Sequence, residues 1–150
     1  MAFVVIYDAC VLYPAALRDF LLRVARTGIV RARWSEQILD ECFEAIVRER
    51  LDLKSEALER TRVLMRGAIP DCIVSGYENL IDGLSLPDPD DRHVLAAAVR
   101  SGAQTIVTFN LKDFPAATLD AFGVEARHPD DFLVNQIGLA PGPYSCRRAA

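Results

Sequence analysis

Cysteine and histidine are too sparse and too scattered in this sequence to build a zinc knuckle. Cys10, Cys42, Cys72 and Cys146 lie far apart, no CxxC occurs, and neither of the two histidines is placed to complete a site. A disulfide framework is not indicated either, so buried thiols in a reducing compartment are expected. No apolar run is long enough for a membrane span, and the start MAFVVIYDAC has no basic leader and is interrupted early by Asp8. The expectation is a cytoplasmic protein with no membrane attachment. The phosphate loop GxxxxGK[ST] and a GxGxxG after the first apolar run are both missing, which argues against nucleotide sites of those kinds. Positive charge is also short: 17 Lys and Arg against 21 Asp and Glu leave a formal charge of −4. That balance argues against holding nucleic acid by bulk electrostatics, but it leaves room for a nuclease with an acidic, metal-filled centre.

What is present is enough for one domain. A chain of 150 residues can bury about 68–70% of its extended surface and needs no covalent staples. Phe3 to Tyr7 is a continuous, β-branched apolar run of the kind found in a strand buried on both faces, and Asp8 follows it directly. Tyr13-Pro14 opens a helix ending near Gly28, and Ile29 to Arg33 is a brief strand or an extended connection. Ser35 caps a helix over about Glu36 to Arg50, with Trp34 and Leu39 placed as a hydrophobic staple across the cap. Glu41 lies at the edge of that helix's apolar stripe. Leu53 to Gly67 reads as a further helix, Cys72 to Val74 as a short strand, and Gly76 to Gly83 as a turn or short helix. Strand alternating with helix is the pattern of a parallel α/β unit.

The organising stretch is Leu86 to Gly102, LPDPDDRHVLAAAVRSG. Asp88 is an N-cap acceptor, Pro89 takes the first helical position, and Gly102 closes the helix. Val94, Leu95, Ala98 and Val99 form an apolar stripe, and Asp91 stands on that same side. A buried carboxylate costs several kcal/mol, on the order quoted for unpaired charge, unless something positive meets it. Asp90 and Asp91 can be read as ordinary first-turn acids favoured by the helix dipole. The other reading is a shared cation, and it depends on whether other carboxylates stand at the same end of the sheet.

Others do. Gln104 to Phe109 is a second β-branched run followed by Asn110-Leu111-Lys112-Asp113, so Asp8, Asp91 and Asp113 all map to the carboxyl edge of a parallel sheet, where ligand sites form. Carboxylates crowded in low dielectric need raised pKa values or a cation. With oxygen donors and no His or Cys expected nearby, a hard ion, Mg²⁺ or Mn²⁺, is favoured over zinc. Such a site commonly acts on phosphate esters. An aspartyl-phosphate phosphatase would want a second acid at position 10, which is Cys10. Early arginines, from Arg18 through Arg33 and then Arg48 and Arg50, suit phosphate contacts, although a solvated helix face accounts for most of them. Pro115 to Phe122 is a short helix, Gly123 to Ala126 an edge strand, and Pro129-Asp130-Asp131 begins a last helix as a plain helix start. The domain is expected over 1–137, with 138–150 a Gly/Pro-containing flexible tail.

Asp8 after the first strand, Glu41 in SEQILDE, Asp91 in DPDDRHVLAAAV, and TFNLKDF with Asn110 and Asp113 together resemble the PIN-domain family, in particular the bacterial VapC-type toxin ribonucleases. The similarity runs from about Phe3 to Leu133. It implies a three-layer α/β/α domain with a mainly parallel sheet, a Mg²⁺ or Mn²⁺ pocket, and endonucleolytic cleavage of RNA. Residue by residue it implies Asp8 and Asp91 as metal ligands and Glu41 and Asp113 as the remaining catalytic acids. Asp90, Asn110 and Thr108 are implied in support, with Asn110 standing where many relatives carry aspartate. A cognate antitoxin protein and homodimerisation are further implications. The alternative expectation is a catalytically idle module of the same fold that binds RNA or a protein partner.

Overall fold

In the computed structural model, which describes residues 3–136, four parallel strands form one sheet in the order β2-β1-β3-β4. They are β1 (Phe3–Tyr7), β2 (Val30–Arg33), β3 (Thr105–Val107) and β4 (Glu125–Arg127). Val5 pairs with Ala32 on one side and with Thr105 on the other, so β1 is interior. Its residues Val5, Ile6 and Tyr7 have no solvent exposure, as expected of a parallel strand covered on both faces.

The helices are α1 (Ala9–Leu12), α2 (Ala15–Arg26), α3 (Glu36–Glu49), α4 (Ser55–Ala68), α5 (Arg92–Ser101), α6 (Ala116–Leu119) and α7 (Pro129–Asp131). The connection from β1 to β2 and that from β2 back across to β3 run in opposite directions over the sheet. Right-handed crossovers then put α2 on one face and α5 on the other. The contacts agree: the Tyr7 hydroxyl donates to the Leu21 carbonyl of α2 at 3.1 Å, and α5 packs on β1 and β3. The result is a three-layer α/β/α arrangement. On the α2 side Tyr7 stacks with Trp34 at 6.3 Å and meets the edge of Phe132 at 6.2 Å.

Local chemistry sets most boundaries. Ser35 Oγ accepts the Ile38 N–H at 3.0 Å to start α3, and both Trp34 and Leu39 are fully buried beside it. Gly102 closes α5 in the left-handed region, at φ 73°, where a side chain would be strained. The expected helix from Asp88 begins instead as a 3-10 turn, Pro89–Asp91, before α5 proper. Cys72 to Val74 contributes only a bridge, Ile73 to Trp34, and Gly76 to Gly83 resolves into a 3-10 turn, Glu78–Gly83. The edge strand starts two residues later and ends one residue later than expected, and Pro129 starts a helix that runs on as a π turn, Phe132–Gln136.

Helix α4 is tied to α3 by charge. Arg66 grips Glu36 through two bonds of 2.7 and 2.9 Å, Arg62 bonds Glu36 and Asp40, and Arg66 first among these holds the Glu36 carboxyl down to about 2. Cys42 and Cys72 are free buried thiols, as expected, and Cys10 is partly buried. Cys146 and the expected tail, 138–150, lie outside the described residues. Among the described residues no helix is long and apolar enough to cross a membrane.

Candidate acidic site at the strand ends

Asp8 leaves the end of β1 and turns straight into α1. Its Oδ1 accepts the Ala9 N–H at 2.8 Å, and its Oδ2 accepts the Thr108 hydroxyl at 2.9 Å. Only 6% of the residue is exposed. Burial raises its pKa; the bonds from Thr108 and Ala9 oppose that, and the charge of Glu41 adds to it. Thr108, at the end of β3, is itself fully buried and also accepts the Asn110 N–H at 3.1 Å. It therefore joins the two strand ends and fixes the orientation of the Asp8 carboxylate. That is a more definite role than the hydroxyl alone implied.

A cavity of about 370 Å³ opens above these strand ends. Its wall includes Asp8, Cys10 and Tyr13 from the first strand and turn, Glu41, Glu44, Ala45 and Arg48 from one side of α3, and Asp91 and Asn110. Residues 41, 44, 45 and 48 recur at helical spacing and so share one face. Asp91 sits where the 3-10 turn passes into α5, and its carboxyl is pushed up to about 7. Burial is the largest cause, followed by the charges of Asp8, Asp88, Asp113 and Glu41. Four acids separate in sequence are thus felt at one atom group.

The remaining expected residues divide. Asn110 is on the wall, whereas Asp113, at the end of the 3-10 turn Leu111–Asp113, acts on Asp91 by its charge without lining the cavity. Asp90 is exposed and off the wall, its backbone N–H taken by Asp88 Oδ1 at 2.9 Å. Two side chains that the sequence reading left out of the site are here. Cys10 Sγ lies 3.7 Å from Asp8 Oδ2 and accepts the Phe109 N–H at 3.3 Å, and burial, then the Asp8 charge, push the thiol up to about 12. His93, 3% exposed, bonds Glu41 Oε2 through Nε2 at 3.0 Å. The expectation of no His or Cys nearby does not hold.

The arginines also sort themselves. Arg18 bonds the Leu12 and Tyr13 carbonyls, Arg23 pairs with Asp19, Arg31 with Asp71 and Arg50 with Asp52, while Arg33 bonds the Ile73 carbonyl. Arg48 alone among them lines the cavity and, among the described residues, makes no ion pair.

The donor chemistry suits a hard cation, since the acids offer oxygen and a protonated thiol is a poor ligand. Among the described residues, no three His, Cys, Asp or Glu side chains are grouped tightly enough to enclose an ion by themselves. An open wall of that kind fits an ion such as Mg²⁺, which keeps several waters and takes one or two carboxylates plus substrate oxygens.

The PIN domain family matches residues 4–112, and the chain belongs to that family. It is also similar to a Mycobacterium tuberculosis protein named "Putative ribonuclease VapC50", at 52% identity over 64 residues, which cover 43% of this chain and 37% of that protein. The chain thus spans well under half of that relative's length. No solved structure matches the chain.

Proposed function

We propose that the chain is a Mg²⁺- or Mn²⁺-dependent endoribonuclease, the toxin component of a bacterial toxin–antitoxin pair. The observation that carries this is that Asp8, Glu41 and Asp91 share the wall of one cavity, where burial first, and then the neighbouring carboxylates, push the Asp91 carboxyl up to about 7. Membership of the PIN domain family and similarity to a protein whose name says ribonuclease support the same reading.

In this reading Asp8 and Asp91 hold the ion. When bound, such an ion neutralises charge on the phosphodiester and lowers the pKa of the attacking water. Thr108 and the Ala9 N–H keep Asp8 in one orientation. Glu41 orients the attacking water and takes up its proton, and Asp113 strengthens the field at Asp91. Asn110 contributes an amide where a further acid would have bound a second ion. Arg48, which makes no ion pair among the described residues, contacts a phosphate flanking the scissile one, and Tyr13 offers a ring against a base. The substrate is RNA with at least a locally single-stranded segment, the partner is a cognate antitoxin, the assembly is a homodimer, and the compartment is the cytoplasm.

Cleavage of an RNA pool with Mg²⁺ or Mn²⁺ tests the reading, comparing the parent with Asp8→Asn. The parent should cut and also gain thermal stability with ion concentration as RT ln(1 + [L]/Kd). Cutting by Asp8→Asn at the parent's rate would sink the assignment. The presence of Asn110 on the wall favours one second reading, an idle module that binds RNA through this face, and a flat ion titration would select it.

A further inference from the structure

Glu41 and His93 come from different helices, 52 positions apart, and meet at the cavity wall through the 3.0 Å bond between Oε2 and Nε2. Glu41 is 38% exposed at its side chain, whereas His93 is 3% exposed. A glutamate on a helix surface has three rotatable bonds and ordinarily samples several rotamers. A buried ring, held by packing, supplies a fixed donor that removes that freedom.

The ring's other nitrogen sharpens the point. Nδ1 is buried with no hydrogen-bond partner. Because a carboxylate only accepts, the ring proton belongs on Nε2, facing Oε2, and Nδ1 keeps a bare lone pair. The opposite tautomer would set a lone pair against the carboxylate and bury an N–H with nothing to receive it. A leucine at this position would fill the space with no orphaned atom. The histidine's polar atoms therefore have one local use, which is Glu41. Among the described residues Glu41 Oε1 has no partner, so one oxygen is held and the other is left available at the cavity.

We propose that His93 is a positioning residue for the site: its Nε2–H fixes the Glu41 carboxylate so that Oε1 is presented to the bound ion and its water. The proposal rests on the nuclease reading for its activity arm, but not for its binding arm. Removing a partner that orients a group at a metal site typically costs roughly 10- to 100-fold in metal affinity or activity.

The test is a double-mutant cycle on the full chain, using His93→Leu, Glu41→Ala and the pair. It is read out by Mn²⁺ affinity from electron paramagnetic resonance without RNA, and by kcat and KM on RNA. His93→Leu should weaken Mn²⁺ binding and lower kcat by roughly 10-fold or more, with KM for RNA unchanged. His93→Gln, which restores an N–H donor, should recover most of the loss. In the Glu41→Ala background His93→Leu should add nothing beyond about twofold, the scatter of a null effect. An equal loss in both backgrounds, or no rescue by glutamine, overturns the proposal.

Ring-nitrogen NMR of the parent supplies an arm that needs no folded His93 variant. The proton should sit on Nε2, and Glu41→Ala should shift that signal; a proton on Nδ1 overturns the proposal. If the parent cuts no RNA, the nuclease reading fails and the Mn²⁺ cycle decides the positioning role by itself. If the parent cuts RNA but the cycle is additive, the positioning role fails and the nuclease reading stands.

Discussion

The tripeptide Pro-Asp-Asp starts two helices in this chain, at Pro89–Asp91 and at Pro129–Asp131, and the two copies end up in different chemistry. Both are capped from the residue before the proline: Asp88 Oδ1 takes the Asp90 N–H at 2.9 Å, and His128 Nδ1 takes the Asp130 N–H at 3.1 Å. The local grammar is the same. In the first copy the third residue, Asp91, feels the charges of Asp8, Asp88, Asp113 and Glu41. In the second the middle residue, Asp130, is buried near His128, and the residue after the tripeptide, Phe132, is fully buried against Tyr7. A helix start becomes a site only when the sheet brings other acids to it.

Substituting the two copies in parallel separates these roles most strongly in cleavage. Asp91→Asn should cut RNA slower by about 100-fold or more, the scale for losing a charge that acts in the transition state, while Asp131→Asn should stay near the parent rate. Comparable losses in the two variants would erase the distinction.

The next contrast is in pH. The Asp91 carboxyl is raised from its ordinary 3.8 to about 7, so the folded chain holds a proton there that the unfolded chain releases. Stability tied to this group is fully present below about pH 4 and is lost as pH climbs through 7. In metal-free buffer the parent should therefore lose roughly 1–2 kcal/mol more than Asp91→Asn between pH 5 and 8, after discounting for the part-exposed position. In urea unfolding, Asp91→Asn should be the more stable protein at pH 8.

The smallest effect is at the caps. Asp88→Ala and His128→Ala should each cost about 0.5–1 kcal/mol by thermal unfolding. Only Asp88→Ala should also slow cleavage, because its turn carries Asp91.

Much of this was legible beforehand because it depends on short-range rules. Asp88, Pro89 and Gly102 bracket their helix, Ser35 caps α3 through Ile38, and the β-branched runs at Phe3–Tyr7 and before Phe109 mark strands whose ends carry the acids. Where the reading slipped, the reason is tertiary. Helix α5 was assigned one apolar stripe, yet His93, Ala96 and Ala97 are as buried as Val94, Leu95 and Ala98, because α5 is packed between the strands β1 and β3 and the 3-10 turn Glu78–Gly83. Periodicity cannot show a helix enclosed all round. The unbroken apolar run Val94–Ala98 directly after a histidine, with no polar residue inside it, was the available signal for His93. Cys10 was read as an ordinary buried thiol, although its place two residues after Asp8, on the first turn beyond the strand, puts it at the same corner. The reading set Asp91 ahead of Asp90 from the apolar stripe, but it set Asp113 ahead of Asn110, and only the way the 3-10 turn Leu111–Asp113 runs shows that Asn110 lines the cavity and Asp113 does not.

Asp8 hangs from a strand that has neighbours on both edges, and its own amide is bonded to the Val107 carbonyl at 3.1 Å. Amides of such a strand exchange with solvent chiefly through whole-molecule opening, while peripheral helices open on their own at lower free energy. The floor of the cavity should thus be among the last parts to lose protection in deuterium exchange. Asp91, carried on a three-residue turn at the rim, should report the earliest local openings.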